Sequence, residues 1–161
     1  MKYPRIIFVC TGNIFRSVSA EYSAKKILGI DDSTQIGSAG IAATPEALPP
    51  LILEQLSALG MDATSHRQRK TDTLLLSSYD IVVAMAENHQ AYMNARLGVE
   101  SILFNKLYQG TDDSVLDLHE AIPDFLEKPT ESHEYISKTI RYIYDAMPRV
   151  LDEIAEKFCT Q

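Results

Sequence analysis

The sequence predicts an α/β fold: a single domain with a four-stranded parallel sheet, helices on both faces, and a phosphate-binding loop after the first strand. Two observations carry this. Short, almost wholly apolar runs alternate with longer stretches of helical spacing, the pattern of a parallel sheet buried on both sides. The first apolar run, Ile6-Ile7-Phe8-Val9, empties into Cys10-Thr11-Gly12-Asn13-Ile14-Phe15-Arg16-Ser17, and a helical pattern follows at once. Its 161 residues suffice for one domain with a real core, spanning 1–161 with no internal repeat or linker.

Taken in order, Arg5 to Cys10 reads as the first strand. Ser17 through Leu28 reads as a helix, with Val18, Tyr22 and Leu28 on one face and Gly29 as the stop. Thr34 to Ala39 is a second strand. Three prolines, Pro45, Pro49 and Pro50, make the next stretch a loop. Leu51 to Leu59 is helical and ends at Gly60. Thr71 to Ser78 forms a short helix, and Tyr79 to Met85 is the third strand. Glu87 to Leu97 is a helix closed by Gly98, and Ser101 to Phe104 is the fourth strand. Residues 105–129 read as long and mostly irregular, which marks a functional loop. A last helix starts near Thr130 with Ile136, Ile140, Ile143 and Tyr144 as its buried stripe. Pro148 should kink or break it.

Strand, loop and helix N-terminus together leave backbone N–H groups free to hold an anion. In open α/β sheets ligands bind beyond the carboxyl ends of the strands, where Cys10 stands. A helix N-terminus and a nearby guanidinium both favour a thiolate, the nucleophilic form of cysteine. Arg16 presents a planar fork that matches two phosphate oxygens. Gly12 permits close backbone approach, Asn13 tolerates a left-handed conformation, and Ser17 can cap the helix or hydrogen-bond the sulfur. The residues thus read as a thiolate aimed at phosphorus, with Thr11, Gly12, Asn13, Ile14, Phe15, Arg16 and Ser17 around the oxyanion. The plainer alternative is that Cys10 is a small buried hydrophobe at the end of a strand.

Composition narrows the remaining classes. A net charge of −7 argues against a nucleic-acid partner. Neither GxGxxG nor GxxxxGK[ST] occurs, so nucleotide-binding readings have no motif. The two cysteines, Cys10 and Cys159, lack metal-ligand spacing, and no metal or other cofactor is expected. No signal peptide or membrane-length apolar run is visible, so the expected location is cytoplasmic.

The segment Val9 to Ser17 resembles the signature loop of the low-molecular-weight protein tyrosine phosphatases, and the likeness extends over nearly the whole chain. Arsenate reductases and phosphoarginine phosphatases of the same superfamily share the motif's core. The resemblance implies a metal-independent phosphatase acting on phosphotyrosine proteins, with phosphate and similar oxyanions as product or inhibitor. Cys10 would attack, Arg16 would bind the phosphoryl oxygens, and Asn13, Ser17, Ser38 and His66 would brace the loop. A phosphomonoester also needs a proton on its leaving oxygen, and the long loop offers Asp112, Asp113, Asp117 and Asp124. The resemblance assigns the role to Asp124 through Ile122-Pro123-Asp124. The chain departs from the family pattern where Phe125 and Leu126 follow that aspartate, and where Phe15 replaces the second cysteine of many relatives. His66 also has a simpler reading as one of an exposed basic run, and Arg67, Arg69 and Lys70 read as surface charge or salt-bridge partners. Arsenate reduction through added cysteines is a poor fit, since none lies between Cys10 and Cys159. Phosphoarginine-selective members place Thr where this chain has Ile14. A phosphate-recognition module without turnover is the reading from a different class.

Overall fold

The structure, a computed structural model, describes residues 3–159; residues 1, 2, 160 and 161 lie outside the described residues. Four parallel strands form one sheet: β1 (Ile6–Cys10), β2 (Ile36–Gly40), β3 (Ile81–Ala84) and β4 (Ile102–Leu103), in the order β2-β1-β3-β4. The register runs Ile6 to Ile36 and Cys10 to Gly40 on one side of β1, and Ile6 to Ile81 and Val9 to Ala84 on the other.

Strand alternation divides the apolar side chains between two cores. Ile6, Phe8 and Cys10 face α1 (Arg16–Leu28), α5 (Phe104–Gln109) and α7 (Pro129–Phe158) through Ala20, Ala24, Phe104, Leu107, Ile143 and Met147. Ile7 and Val9 point the other way, with Leu76 of α3 (Thr73–Ser77), Val82, Ala84 and Met93. A third cluster joins Phe15 and Val18 to α2 (Pro50–Ala58) and to Ile136 and Ile140 of α7. Every residue of β1 is buried, which is why this strand reads as a continuous apolar run rather than an alternating one.

Most boundaries fall within two residues of the sequence expectation, and the exceptions have physical causes. Gly29 ends α1 in the left-handed conformation at φ 66°. The helix expected over 87–97 is α4 (Glu87–Tyr92) followed by a π-helical turn, Met93–Leu97, before Gly98. The fourth strand is only two residues long, because Phe104 is drawn into the core as the first residue of α5. The stretch expected to be irregular therefore holds α5, α6 (Leu118–Ala121) and a 3₁₀ turn, Phe125–Glu127. Pro148 does not break the last helix: α7 runs thirty residues with Pro148 inside it. Proline removes one backbone hydrogen bond. Here it sits on the exposed face, while Ile143, Ala146, Met147, Val150 and Leu151 anchor both sides of it in the core.

The loop between β1 and α1 is the last part of the chain before a helix that is packed on the sheet. Its position is fixed from below by β2, whose Gly40 lies directly under it. A Cβ on Gly40 would stand 2.4 Å from the carbonyl oxygen of Thr11 and 2.8 Å from the nitrogen of Asn13, so only glycine lets the strand end approach so closely.

Candidate active site

Residues 11–15 form a tight loop whose inner residues are buried. Asn13 is the one non-glycine residue with positive φ among the described residues, at 54°. Such a conformation costs of order 1–3 kcal/mol unless its surroundings hold it. They do so through every hydrogen-bonding atom of its side chain. The amide Nδ2 donates to Ser17 Oγ at 2.9 Å and to Ser38 Oγ at 2.8 Å. The amide Oδ1 accepts from His66 Nε2 and from the Arg69 backbone N–H, both at 3.1 Å. Since a carbonyl oxygen accepts, His66 carries its proton on Nε2.

This wiring continues to the sulfur. Ser38 donates its own proton to Glu21 Oε1 at 2.7 Å, and Glu21 is held by Lys25 Nζ at 2.8 Å in a buried ion pair. Ser17 already accepts from Asn13, so its proton is free for Cys10 Sγ, 3.0 Å away. The backbone N–H of Asn13 also points at Sγ, at 3.3 Å. Ser17 makes no helix cap; its hydroxyl serves the sulfur instead. Two donors thus converge on a cysteine that is only 2 % exposed. The amides of Gly12, Ile14 and Phe15 have no hydrogen-bond partner among the described residues, leaving them for an oxyanion above the sulfur.

Arg16 is buried, yet its fork is not used up. Nη1 donates to the Val115 carbonyl at 2.8 Å, which fixes the plane. Nη2 donates to Thr11 Oγ1 at 3.3 Å, and Nε has no hydrogen-bond partner among the described residues. The Nε–Nη2 edge, the one suited to two oxygens of one phosphate, is therefore the open edge. Thr11 Oγ1 also lies 2.9 Å from Nε2 of His89, a fully buried histidine. Burial first, and the Arg16 charge second, lower the His89 pKa to about 3, so the ring beside the guanidinium stays neutral. Burial likewise lowers His66. Ile14 stands on the rim with its side chain one-third exposed, and the Arg16 guanidinium lies over the Phe15 ring at 5.9 Å.

The carboxylate that meets this loop is Asp117, not Asp124. Val115 crosses the end of β3, its N–H bonded to the Met85 carbonyl at 2.8 Å, and the chain two residues on places Asp117 Oδ1 3.6 Å from Arg16 Nη2. Asp117 also starts α6 with a reciprocal cap: Leu118 N–H donates to Oδ1 at 2.8 Å, and Asp117 N–H donates to Glu120 Oε1 at 3.2 Å. His119 Nδ1 lies 2.8 Å from Oδ2. Asp124 lies beyond α6, as the cap of the 3₁₀ turn Phe125–Glu127. Its carboxylate is half-exposed and pairs with Lys128 Nζ at 3.3 Å on the surface.

The structure thus gathers Cys10, Thr11, Asn13, Arg16, Ser17, Ser38 and His66 at one place and leaves Asp124 out. His66 is buried against Asn13 rather than part of a solvated basic run. Arg69 is not free surface charge either: Nε donates to the Ser38 carbonyl at 2.8 Å and Nη2 to the Tyr79 hydroxyl at 2.7 Å. Three contributors had gone unread in the sequence, His119, His89 and Glu21, and Asp117 stood there only as one of four candidate acids. Asp117 had a further legible signal, since Asp117-Leu-His-Glu120 is a capping-box spacing that starts a helix. Cys159 lies beside Tyr3, at the far end of the sheet from Cys10. Among the described residues no cluster of side chains could hold a metal, and no helix is long and apolar enough to cross a membrane.

Comparison with known proteins gives a consistent family. The family model described as low molecular weight phosphotyrosine protein phosphatase matches residues 5–158. Arsenate reductase 2 of Staphylococcus haemolyticus is 37 % identical over 83 residues, covering 52 % of this chain and 60 % of that protein. The match thus spans about 60 % of that relative's length. A low molecular weight protein tyrosine phosphatase from T. tengcongensis is 26 % identical, covers 96 % of this chain and 99 % of its own, and superimposes with a TM-score of 0.73. The YwlE arginine phosphatase of Geobacillus stearothermophilus shares the fold at a TM-score of 0.77 over 96 % of this chain and 94 % of its own, with 20 % identity.

Proposed function

The chain belongs to the low molecular weight phosphotyrosine protein phosphatase family, and from that premise we propose that it hydrolyses phosphotyrosine in proteins through a phosphocysteine intermediate. The observation that carries this reading is the open Nε–Nη2 edge of buried Arg16, set beside a sulfur that receives two hydrogen bonds.

The phosphoryl group sits with its equatorial oxygens on the loop amides and on Arg16. Charge spreading onto those oxygens in the transition state meets fixed donors in a site that water barely enters, the largest expected contribution to rate. Cys10 Sγ attacks phosphorus in line. Asp117 gives its proton to the departing phenol oxygen, then takes a proton from the water that hydrolyses the phosphocysteine. Arg16 is both the phosphate ligand and the partner of Asp117 at rest, so binding substrate draws the guanidinium toward phosphate and loosens the carboxylate for proton transfer. The reaction as written uses no metal or other cofactor.

Two things favour an aromatic ester. Ile14 offers a methyl surface on the rim, suited to a ring more than to a guanidinium. The other relatives' substrates, arsenate and phosphoarginine, fit less well: the first needs cysteines to carry a disulfide outward, and none lies near Cys10. The test is hydrolysis of p-nitrophenyl phosphate and of matched phosphotyrosine and phosphoarginine peptides, with and without chelator. Chelator-resistant turnover with a phosphotyrosine preference supports the reading. Preference for phosphoarginine reassigns the substrate, and phosphate binding without turnover makes the protein a recognition module.

A further inference from the structure

We propose that His89 is a positioning residue for Arg16, a role that rests on the reading of the loop as a phosphate site. Acting through the Thr11 hydroxyl, it fixes the plane of the guanidinium that grips the phosphoryl group.

A guanidinium held by one hydrogen bond can still swing about that bond. To offer two parallel N–H groups to two oxygens of one phosphate, its plane must be set. Two anchors set it here. Nη1 donates to the Val115 carbonyl at 2.8 Å, and Nη2 donates to Thr11 Oγ1 at 3.3 Å. The edge left over, Nε with the rest of Nη2, is the one turned to the anion. Both anchors trace back to the residues that follow β3. Val115 is tied to the Met85 carbonyl at 2.8 Å, and His89, in the first turn of α4, donates its backbone N–H to the Ala86 carbonyl at 3.2 Å.

The Thr11 anchor is the weaker of the two, because a hydroxyl on a loop can rotate. Nε2 of His89 stands 2.9 Å from Oγ1 and removes that freedom. A hydroxyl has two lone pairs and one proton, so Oγ1 accepts from Nη2 in either tautomer of the ring, whether it donates to Nε2 or accepts from it.

Packing alone does not account for a histidine at this position. His89 is fully buried, and its Nδ1 has no hydrogen-bond partner among the described residues. Burying an unpaired ring nitrogen is unfavourable, and an apolar side chain would fill the same space without that cost. The one side-chain hydrogen bond the ring makes among the described residues is to Thr11. Burial first, and the Arg16 charge second, keep the ring neutral, with a pKa of about 3. A neutral ring can hold Thr11 beside the guanidinium without repelling it.

The experiment measures affinity for inorganic phosphate by titration calorimetry, and kcat/KM on p-nitrophenyl phosphate. The proteins are wild type, Thr11→Val, Thr11→Ser, His89→Leu, His89→Gln and the Thr11→Val/His89→Leu pair. Thr11→Val is repeated in an Arg16→Lys background, since lysine keeps a charge but has no plane to set. Thr11→Val should weaken phosphate about tenfold, the effect of one hydrogen bond to a charged group. His89→Leu should lose a similar factor, and the pair should lose no more than Thr11→Val alone, because the histidine acts through the hydroxyl. Thr11→Ser and His89→Gln, which restore a hydroxyl and a side-chain N–H, should recover most of the loss, and kcat/KM should follow the same order. In the lysine background Thr11→Val should change phosphate affinity by less than about twofold. An equal loss in that background would mean that the hydroxyl serves the anion directly or the fold at large, and would overturn the proposal. So would an unchanged affinity in His89→Leu, or losses that multiply in the pair. Should wild type bind phosphate yet hydrolyse no ester, the enzymatic reading fails while the affinities still decide the role of His89; should it bind no phosphate, both fail together.

Discussion

The two halves of the site are built differently. The loop that would hold phosphate is contiguous in sequence, buried, and braced from behind by Asn13, Ser38, His66, Arg69 and the Glu21–Lys25 pair. The segment that brings the carboxylate, 111–128, is largely exposed, made of short helices, and held at the site by Val115 on Met85 and Asp117 on Arg16. The first half is set by local chain geometry and a closed hydrogen-bond network. The second is set by where a long connection happens to cross the sheet. Substrate must be gripped by something rigid, while the proton donor must approach and withdraw, and the difference in construction matches that division.

The largest effects should come from emptying the rigid half of its nucleophile. Cys10→Ser should lose more than about 10⁴-fold in kcat yet keep its affinity for phosphate, measured as a rise in melting temperature with phosphate concentration. Next comes the choice between aspartates. Asp117→Asn should cost about 10²–10³-fold with phosphotyrosine substrates, whereas Asp124→Asn should stay within about twofold of wild type, as expected for an exposed ion pair. The reverse order would dissolve the contrast drawn above.

Bracing is tested by Asn13→Ala, which strands Ser17, Ser38, His66 and the Arg69 N–H at once. It should destabilise the fold by about 2–4 kcal/mol, since several buried groups lose partners together, and denaturant melts would show it. A smaller, pH-dependent effect comes from the buried histidines. Both His89 and His66 have lowered values in the fold, so the unfolded chain binds more protons and stability falls as pH drops below about 6.5. With the folded His89 at about 3, its share of the loss between pH 7 and 5 is about 2 kcal/mol. His89→Asn should flatten that slope, read from melts at the two pH values.

How far the sequence disclosed each half follows from the same contrast. Strand, loop and helix were legible because periodicity, Gly12, Asn13 and the Cys10-to-Arg16 spacing are local facts. The sheet could be read because its strands are short apolar runs. The acid was assigned to Asp124 by resemblance among four aspartates of the long segment, while the one that meets Arg16 is Asp117, a contact that only tertiary packing decides. The end of β4 was misjudged because Phe104 is apolar enough for a strand, yet its place in the core is as the start of α5. Pro148 was expected to kink or break the last helix, and α7 continues through it because its buried stripe is formed by residues on both flanks of the proline.

The central claim is that Cys10 becomes covalently phosphorylated during turnover. The direct measurement is mass analysis of protein quenched in acid while Asp117→Asn turns over p-nitrophenyl phosphate, whose leaving group needs no proton but whose intermediate still needs a base to be hydrolysed. The account predicts one added phosphoryl group, mapped to the peptide containing Cys10 and absent from Cys10→Ser. Steady hydrolysis with no adduct on Cys10 would contradict it.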